Sequence, residues 1–125
     1  MSDFPAIVSA GSLRGEGTTM PHAWTEEGVT VQVDFTGAHL LHLAVAGCVL
    51  NDVYREAREL GIDLTGVRVV ARGGFDTDRW VTRGIDYDVQ VDGPSDADRD
   101  RLLSRVDAVA EIPRVIRSGG EVRRR

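Results

Sequence analysis

Few residues in this chain pair a reactive side chain with a setting that would use it. The single cysteine, Cys48, follows Ala46 and Gly47 in the apolar run Leu40 to Leu50. A free thiol there has two readings. It is a small hydrophobe in a core helix, because free cysteine is among the most buried residue types. Otherwise it is a nucleophile, which needs the thiolate and hence a nearby cation, because apolar burial raises a thiol pKa. Positions one helical turn away hold Ala44, Val45, Asn51 and Asp52; none is basic, and Asp52 opposes ionisation. Activation would have to come from elsewhere in the fold or from a second subunit.

His39 and His42 are three residues apart and share a helix face, with His22 upstream. Metal sites use such pairs, but no carboxylate stands at a matching offset. Solvated or hydrogen-bonded histidines in the first turns of a helix are the expectation, and no metal is expected. Arg14-Gly15-Glu16-Gly17 and Gly73-Gly74 lack the following helix that a phosphate-binding loop requires, and no nucleophile-elbow sequence occurs. No cofactor is expected.

The elements that would position Cys48 can be read from periodicity and caps. A chain of 125 residues suits a single domain over 1–125. Val29, Val31, Val33 and Phe35 alternate with Thr30, Gln32 and Asp34, the period of a half-buried strand. Weaker strands are expected at Ile7 to Leu13 and Thr18 to Trp24, with Pro21 confining the second to an edge. A long helix follows from about Ala38 to Leu60, capped by Thr36 and by Gly61 in the left-handed conformation. Its first half, Leu40 to Leu50, is apolar nearly all round and should be buried on every side. Beyond Asn51, Val53, Tyr54, Ala57 and Leu60 should face inward and Arg55, Glu56, Arg58 and Glu59 should face water. So small a domain struggles to cover the first half alone, which predicts a homodimer with a helix-lined interface.

Strands at Val67 to Ala71 and Ile85 to Val91 come next. Ser95 then caps a second helix with Asp96 and Asp98 in its first turn and Leu102, Leu103, Val106 and Val109 on its core stripe. Pro113 should stop or kink it, and Gly119-Gly120 should lead to a last strand, Glu121 to Arg124. The order β-β-β-α-β-β-α-β reads as α+β rather than a wound parallel sheet.

The formal net charge is −5, and the 15 basic residues are all arginine. An acidic chain lacks the basic face that phosphate backbones require, so nucleic acid is not an expected partner; Arg123-Arg124-Arg125 reads as a solvated tail. Met1 to Ala10 lacks the basic and apolar regions of a signal peptide, and Leu40 to Leu50 is shorter than the roughly 20 residues of a membrane span. With one cysteine and no disulfide framework, a cytoplasmic protein is expected, with no membrane partner.

The run from Gly37 through His39-Leu40-Leu41-His42-Leu43-Ala44-Val45-Ala46-Gly47-Cys48, followed by Arg55 to Leu60 and Gly61-Ile62-Asp63-Leu64-Thr65-Gly66-Val67, resembles the signature helix and following strand of the OsmC/Ohr family. That family's pattern is P-E-E-L-L-L-A-A-L-A-G-C, leading into R-G-I-x-L-T-G-L/V. The resemblance is strongest over residues 37–72. It implies an intertwined α+β homodimer with a long central helix and two sites at the subunit interface. It also implies thiol-dependent reduction of organic hydroperoxides. In such enzymes a helix cysteine attacks the peroxide, a second cysteine resolves the sulfenic acid, and an arginine paired with a glutamate lowers the first thiol's pKa. Cys48 matches the attacking position, and Arg14 is a loose counterpart of the arginine. The second cysteine's C-P-V segment is here Glu111-Ile112-Pro113-Arg114-Val115, with Ile112 in place of the thiol. Ala38 and His39 stand where the glutamate would be, and whether His39 or another residue replaces it is open. The two-cysteine cycle cannot run. Two functions remain: a one-cysteine peroxidase restored by an external thiol reductant, or a non-catalytic relative binding a small apolar ligand at the dimer interface.

Overall fold

The computed structural model describes residues 3–125; Met1 and Ser2, which the expected domain includes, lie outside the described residues. Strand β1 (Ala6–Gly11) is followed by the hairpin of β2 (Thr18–His22) and β3 (Thr25–Val33), then helix α1 (Gly37–Leu60) and strand β4 (Gly66–Arg72). A short ribbon of β5 (Phe75–Asp76) and β6 (Val81–Thr82) precedes β7 (Asp86–Asp92), and helices α2 (Asp96–Val109) and α3 (Glu111–Ser118) complete the chain. The main sheet has five strands in the order β2-β3-β1-β4-β7, and all of its pairings are antiparallel.

Register aligns Val31, Val8, Val69 and Val89 across four strands. Because side chains alternate faces along a strand, this row and its neighbours Ala10, Val67 and Val91 present one apolar surface. Val45, Ala46, Val49, Leu50, Val53 and Ala57 of α1 and Leu102 and Val106 of α2 pack into the same core. Fully buried side chains such as Val49, Leu50 and Leu102 are each worth roughly 1.5–3 kcal/mol of burial. The sheet and the helix layer on it make the α+β class.

Local signals at the helix ends act as expected. The Thr36 hydroxyl accepts the His39 backbone N–H at 3.1 Å, and Gly61 closes α1 at φ 68°. The Ser95 hydroxyl accepts the Asp98 N–H at 3.2 Å. Pro21 lies in β2, the edge strand, beside a register shift between Met20 and His22.

The structure corrects one expectation and sharpens two others. Glu121 to Arg124 forms no strand; the segment is irregular and Val122 is 95% exposed. With one apolar residue among charges, it has nothing to bury against a sheet edge. Pro113 goes with the end of α2, as expected, but the segment beyond the break is a third helix, α3, with Pro113 in its first turn, where its missing N–H would have had no helical partner. Its ring would clash with the carbonyl of Val109 in a continuous helix, and the chain breaks at Ala110 (ψ 123°). As expected of so small a domain, one chain covers the first half of α1 on one side only: Leu40 and Ala44 are exposed, while Val45, Ala46, Val49 and Leu50 face the core.

Candidate functional site

Cys48 lies where α1 meets the start of α3. The helix break at Ala110 turns the chain so that α3 begins against α1, which brings the backbone N–H of Ile112 close enough to the sulfur to favour its thiolate. Ile112, in the position where the family resemblance puts a second thiol, is thus brought to Cys48. No disulfide can form there.

Two carboxylates also reach the sulfur. The thiol donates to Glu111 Oε2 at 3.4 Å, with Asp52 Oδ2 more distant at 3.8 Å. Both are tied to Arg55, seven residues beyond Cys48 on α1. Its Nη1 donates to Glu111 Oε1 at 2.8 Å, its Nη2 pairs with Asp52 Oδ2 at 3.2 Å, and its Nε donates to Glu56 Oε2 at 3.0 Å. Arg105 of α2 closes on the other oxygen of Glu56. Glu56 is only 6% exposed, which corrects the expectation that it faces water; a second helix supplies its cation.

These contacts decide which way the thiol titrates. Burial pushes Cys48 up from 9.0 to about 11, the Ile112 N–H pulls it down, and Asp52 and Glu111 push it up again. Helix N-termini and cations lower thiol pKa values, but here two anions stand between the sulfur and its nearest arginine. Glu111 itself is held down at about 2, chiefly by Arg55. Asp52, wholly buried, is raised by that burial, against the pull of Asn51 and Arg55. The group rests as a neutral thiol hydrogen-bonded to ionised Glu111.

The other expected residues lie apart from this cluster. The Arg14 guanidinium donates to the Glu27 carbonyl at 3.0 Å and Thr19 Oγ1 at 2.9 Å, and pairs with the Glu27 carboxylate. These contacts stay within the N-terminal strands. The histidines are separately engaged: His22 between Thr25 and Asn51, His39 on the Thr36 hydroxyl, and wholly buried His42 on the Phe4 carbonyl at 2.7 Å. Among the described residues, the three groups whose donor atoms converge within 4.8 Å are Cys48, Asp52 and Glu111, not the histidines. Arg55 already supplies the positive charge there.

Two open apolar hollows flank the cysteine segment of α1. One, of about 290 Å³, is lined by Met20, Pro21, Val29, Val31, Leu43 and Leu50 among others. The other, of about 220 Å³, lies among Val45, Ile85, Tyr87, Pro113 and Ile116.

The sequence reading named Cys48 and noted the opposition of Asp52, but missed Glu111 and Arg55. The spacing of Arg55, three residues from Asp52 and seven from Cys48, puts all three on one helix face. Glu111 carried no comparable signal.

Residues 30–123 match the family described as OsmC-like protein. The chain belongs to the OsmC-like family. Its fold is similar to the crystal structure of an OsmC-like hydroperoxide resistance protein from Jannaschia sp. CCS1, with a TM-score of 0.55 at 13% sequence identity. That similarity covers 99% of this chain and 93% of the other. No curated protein matches the sequence. This OsmC-like chain carries its single cysteine, Cys48, on the long helix and surrounds it with the carboxylates of Asp52 and Glu111. Among its described residues, no helix is long and apolar enough to cross a membrane.

Proposed function

We propose that this OsmC-like protein is a one-cysteine, thiol-dependent reductase of organic hydroperoxides, built as one domain over residues 1–125. The observation that carries the reading is the half-buried Cys48 sulfur at the junction of α1 and α3, close to the Ile112 N–H, on a helix whose neighbouring residues Val45, Gly47 and Asn51 line apolar hollows. The thiolate attacks one peroxide oxygen, the O–O bond breaks, and an S–O bond forms. The departing alkoxide takes a proton and leaves as the alcohol, and Cys48 becomes a sulfenic acid. An external thiol condenses with it, releasing water and forming a mixed disulfide; a second thiol then frees Cys48 and leaves as the disulfide of the reductant. The resting neutral thiol makes this slow at neutral pH, because only the thiolate reacts.

The working form in this proposal is a homodimer in the cytoplasm, where reducing thiols are available. Support comes from the apolar surface that one chain leaves open: Met20, Phe35 and Leu40 are 52%, 87% and 37% exposed, and Met20 lines the larger of the two hollows. Arg14 is assigned to the site as the arginine that a second copy would bring toward the sulfur. No cofactor or metal takes part.

The raised thiol and the missing second cysteine favour a second reading: a non-catalytic binder of a small apolar ligand in the hollow beside Leu43 and Leu50. Incubating the pure protein with an organic hydroperoxide and a dithiol separates the two. Peroxide consumption above that of Cys48→Ser supports the reductase; consumption equal to that of the variant overturns it and leaves the binder.

A further inference from the structure

Glu111 bridges the sulfur and the arginine, one oxygen to each: Oε2 accepts from Cys48 at 3.4 Å and Oε1 accepts from Arg55 at 2.8 Å. Asp52 Oδ2 makes a second, looser bridge, 3.2 Å from Arg55 Nη2 and 3.8 Å from the sulfur. Every nitrogen of the Arg55 side chain therefore faces a carboxylate, on Glu111, Asp52 or Glu56. The cation lies in the same cluster as the thiol yet is spent on the anions around it.

We propose that Glu111 is a positioning residue that keeps Cys48 in its resting thiol form, by accepting the S–H and holding Arg55 away from the sulfur. Glu111 is the lever rather than Asp52 because the two are built in differently. Asp52 is wholly buried, bonded to Asn51 and fixed on the same helix as the cysteine. Glu111 is 58% exposed on its side chain and comes from α3, so it can leave the sulfur without unpacking the core. Losing its charge removes an anion from the sulfur's contacts and releases one Arg55 nitrogen, and both changes favour the thiolate. The charged groups in this cluster are Asp52 and Arg55 on α1 and Glu111 on α3, with Glu56 and Arg105 behind Arg55. The Ile112 N–H stays in place when Glu111 changes, because it belongs to the backbone.

This regulation builds on the reading of Cys48 as the reacting group, but its test does not depend on peroxide chemistry. The measurement is the rate of Cys48 alkylation by uncharged iodoacetamide against pH, in the wild type, Glu111→Gln and the control Glu59→Gln. Glu59 is exposed on α1, and its removal changes the net charge equally. Glu111→Gln removes the charge at nearly unchanged side-chain size and loosens the hold on Arg55, and a thermal unfolding midpoint checks that the fold is retained. The expected result is a titration midpoint lowered by roughly one pH unit or more in Glu111→Gln, hence about three- to fourfold faster alkylation below it once the weaker nucleophilicity of a lower-pKa thiolate is counted, with Glu59→Gln unmoved. A midpoint unchanged or raised in Glu111→Gln, or lowered equally in both variants, overturns the proposal. A wild type that consumes no hydroperoxide overturns the reductase reading and leaves this shift to stand or fall separately.

Discussion

Raising the pH is the simplest perturbation of this site, and its effect follows from the surroundings of Cys48. With the thiol pushed from 9.0 to about 11, about one molecule in ten thousand carries a thiolate at pH 7, against about one in a hundred for an ordinary cysteine. The rarer thiolate is the stronger nucleophile: in thiol–disulfide exchange, reactivity rises with pKa with a slope of about 0.4–0.5, returning roughly eightfold. Scarcity therefore wins, and Cys48 should react about tenfold more slowly than an exposed cysteine at pH 7. An uncharged dipyridyl disulfide is the suitable reagent, because the carboxylates around Cys48 would repel an anionic one. Its released thiopyridone should appear tenfold faster per pH unit up to about pH 11 and then level off. The same shift acts on stability. The folded pKa lies above the unfolded one, so this contribution is complete below pH 9.0 and lost as pH rises through about 11. The upper bound is about 2–3 kcal/mol. A reactivity midpoint below pH 8 would refute the reasoning, because it would mean that Arg55, the Ile112 N–H or a second copy outweighs burial and the two carboxylates.

Two further outcomes test the scaffold around the cysteine. Thr36→Ala removes the hydroxyl that accepts the His39 N–H at the start of α1, and should lower unfolding stability by about 1 kcal/mol in urea titrations. Arg105→Met strips the α2 cation from buried Glu56 and should cost roughly 1.5–3 kcal/mol at pH 7. Glu56 is held below its ordinary 4.5, chiefly by Arg105, so that stabilisation is present above 4.5 and lost as pH falls through the depressed value. The gap between variant and wild type in thermal midpoint should therefore narrow in acid; a constant gap would show that Arg105 acts only by packing.

The family and most elements were legible because their signals are local. Alternation at Val29, Val31 and Val33 marks β3, a hydroxyl at Thr36 or Ser95 starts a helix, and glycine at 61 ends one. Pro113 marks the end of α2, but the helix after it was not legible, because the same ring that breaks a helix interior is tolerated in the first turn of α3. Glu56 was assigned to water because no residue near it in sequence announces Arg105, a cation from another helix that lets a carboxylate be buried.

Cys48 shows the same division. Its place on a long apolar helix, its lack of a second thiol at Ile112 and its membership of the OsmC-like family follow from residue order alone, since periodicity, capping and the signature run are properties of neighbours along the chain. The protonation state of that cysteine was decided only by the tertiary structure. Glu111, 63 residues away in sequence, and Arg55 act on the sulfur through distance and burial. Both determine the strength of an electrostatic interaction, and neither exists until the helices pack.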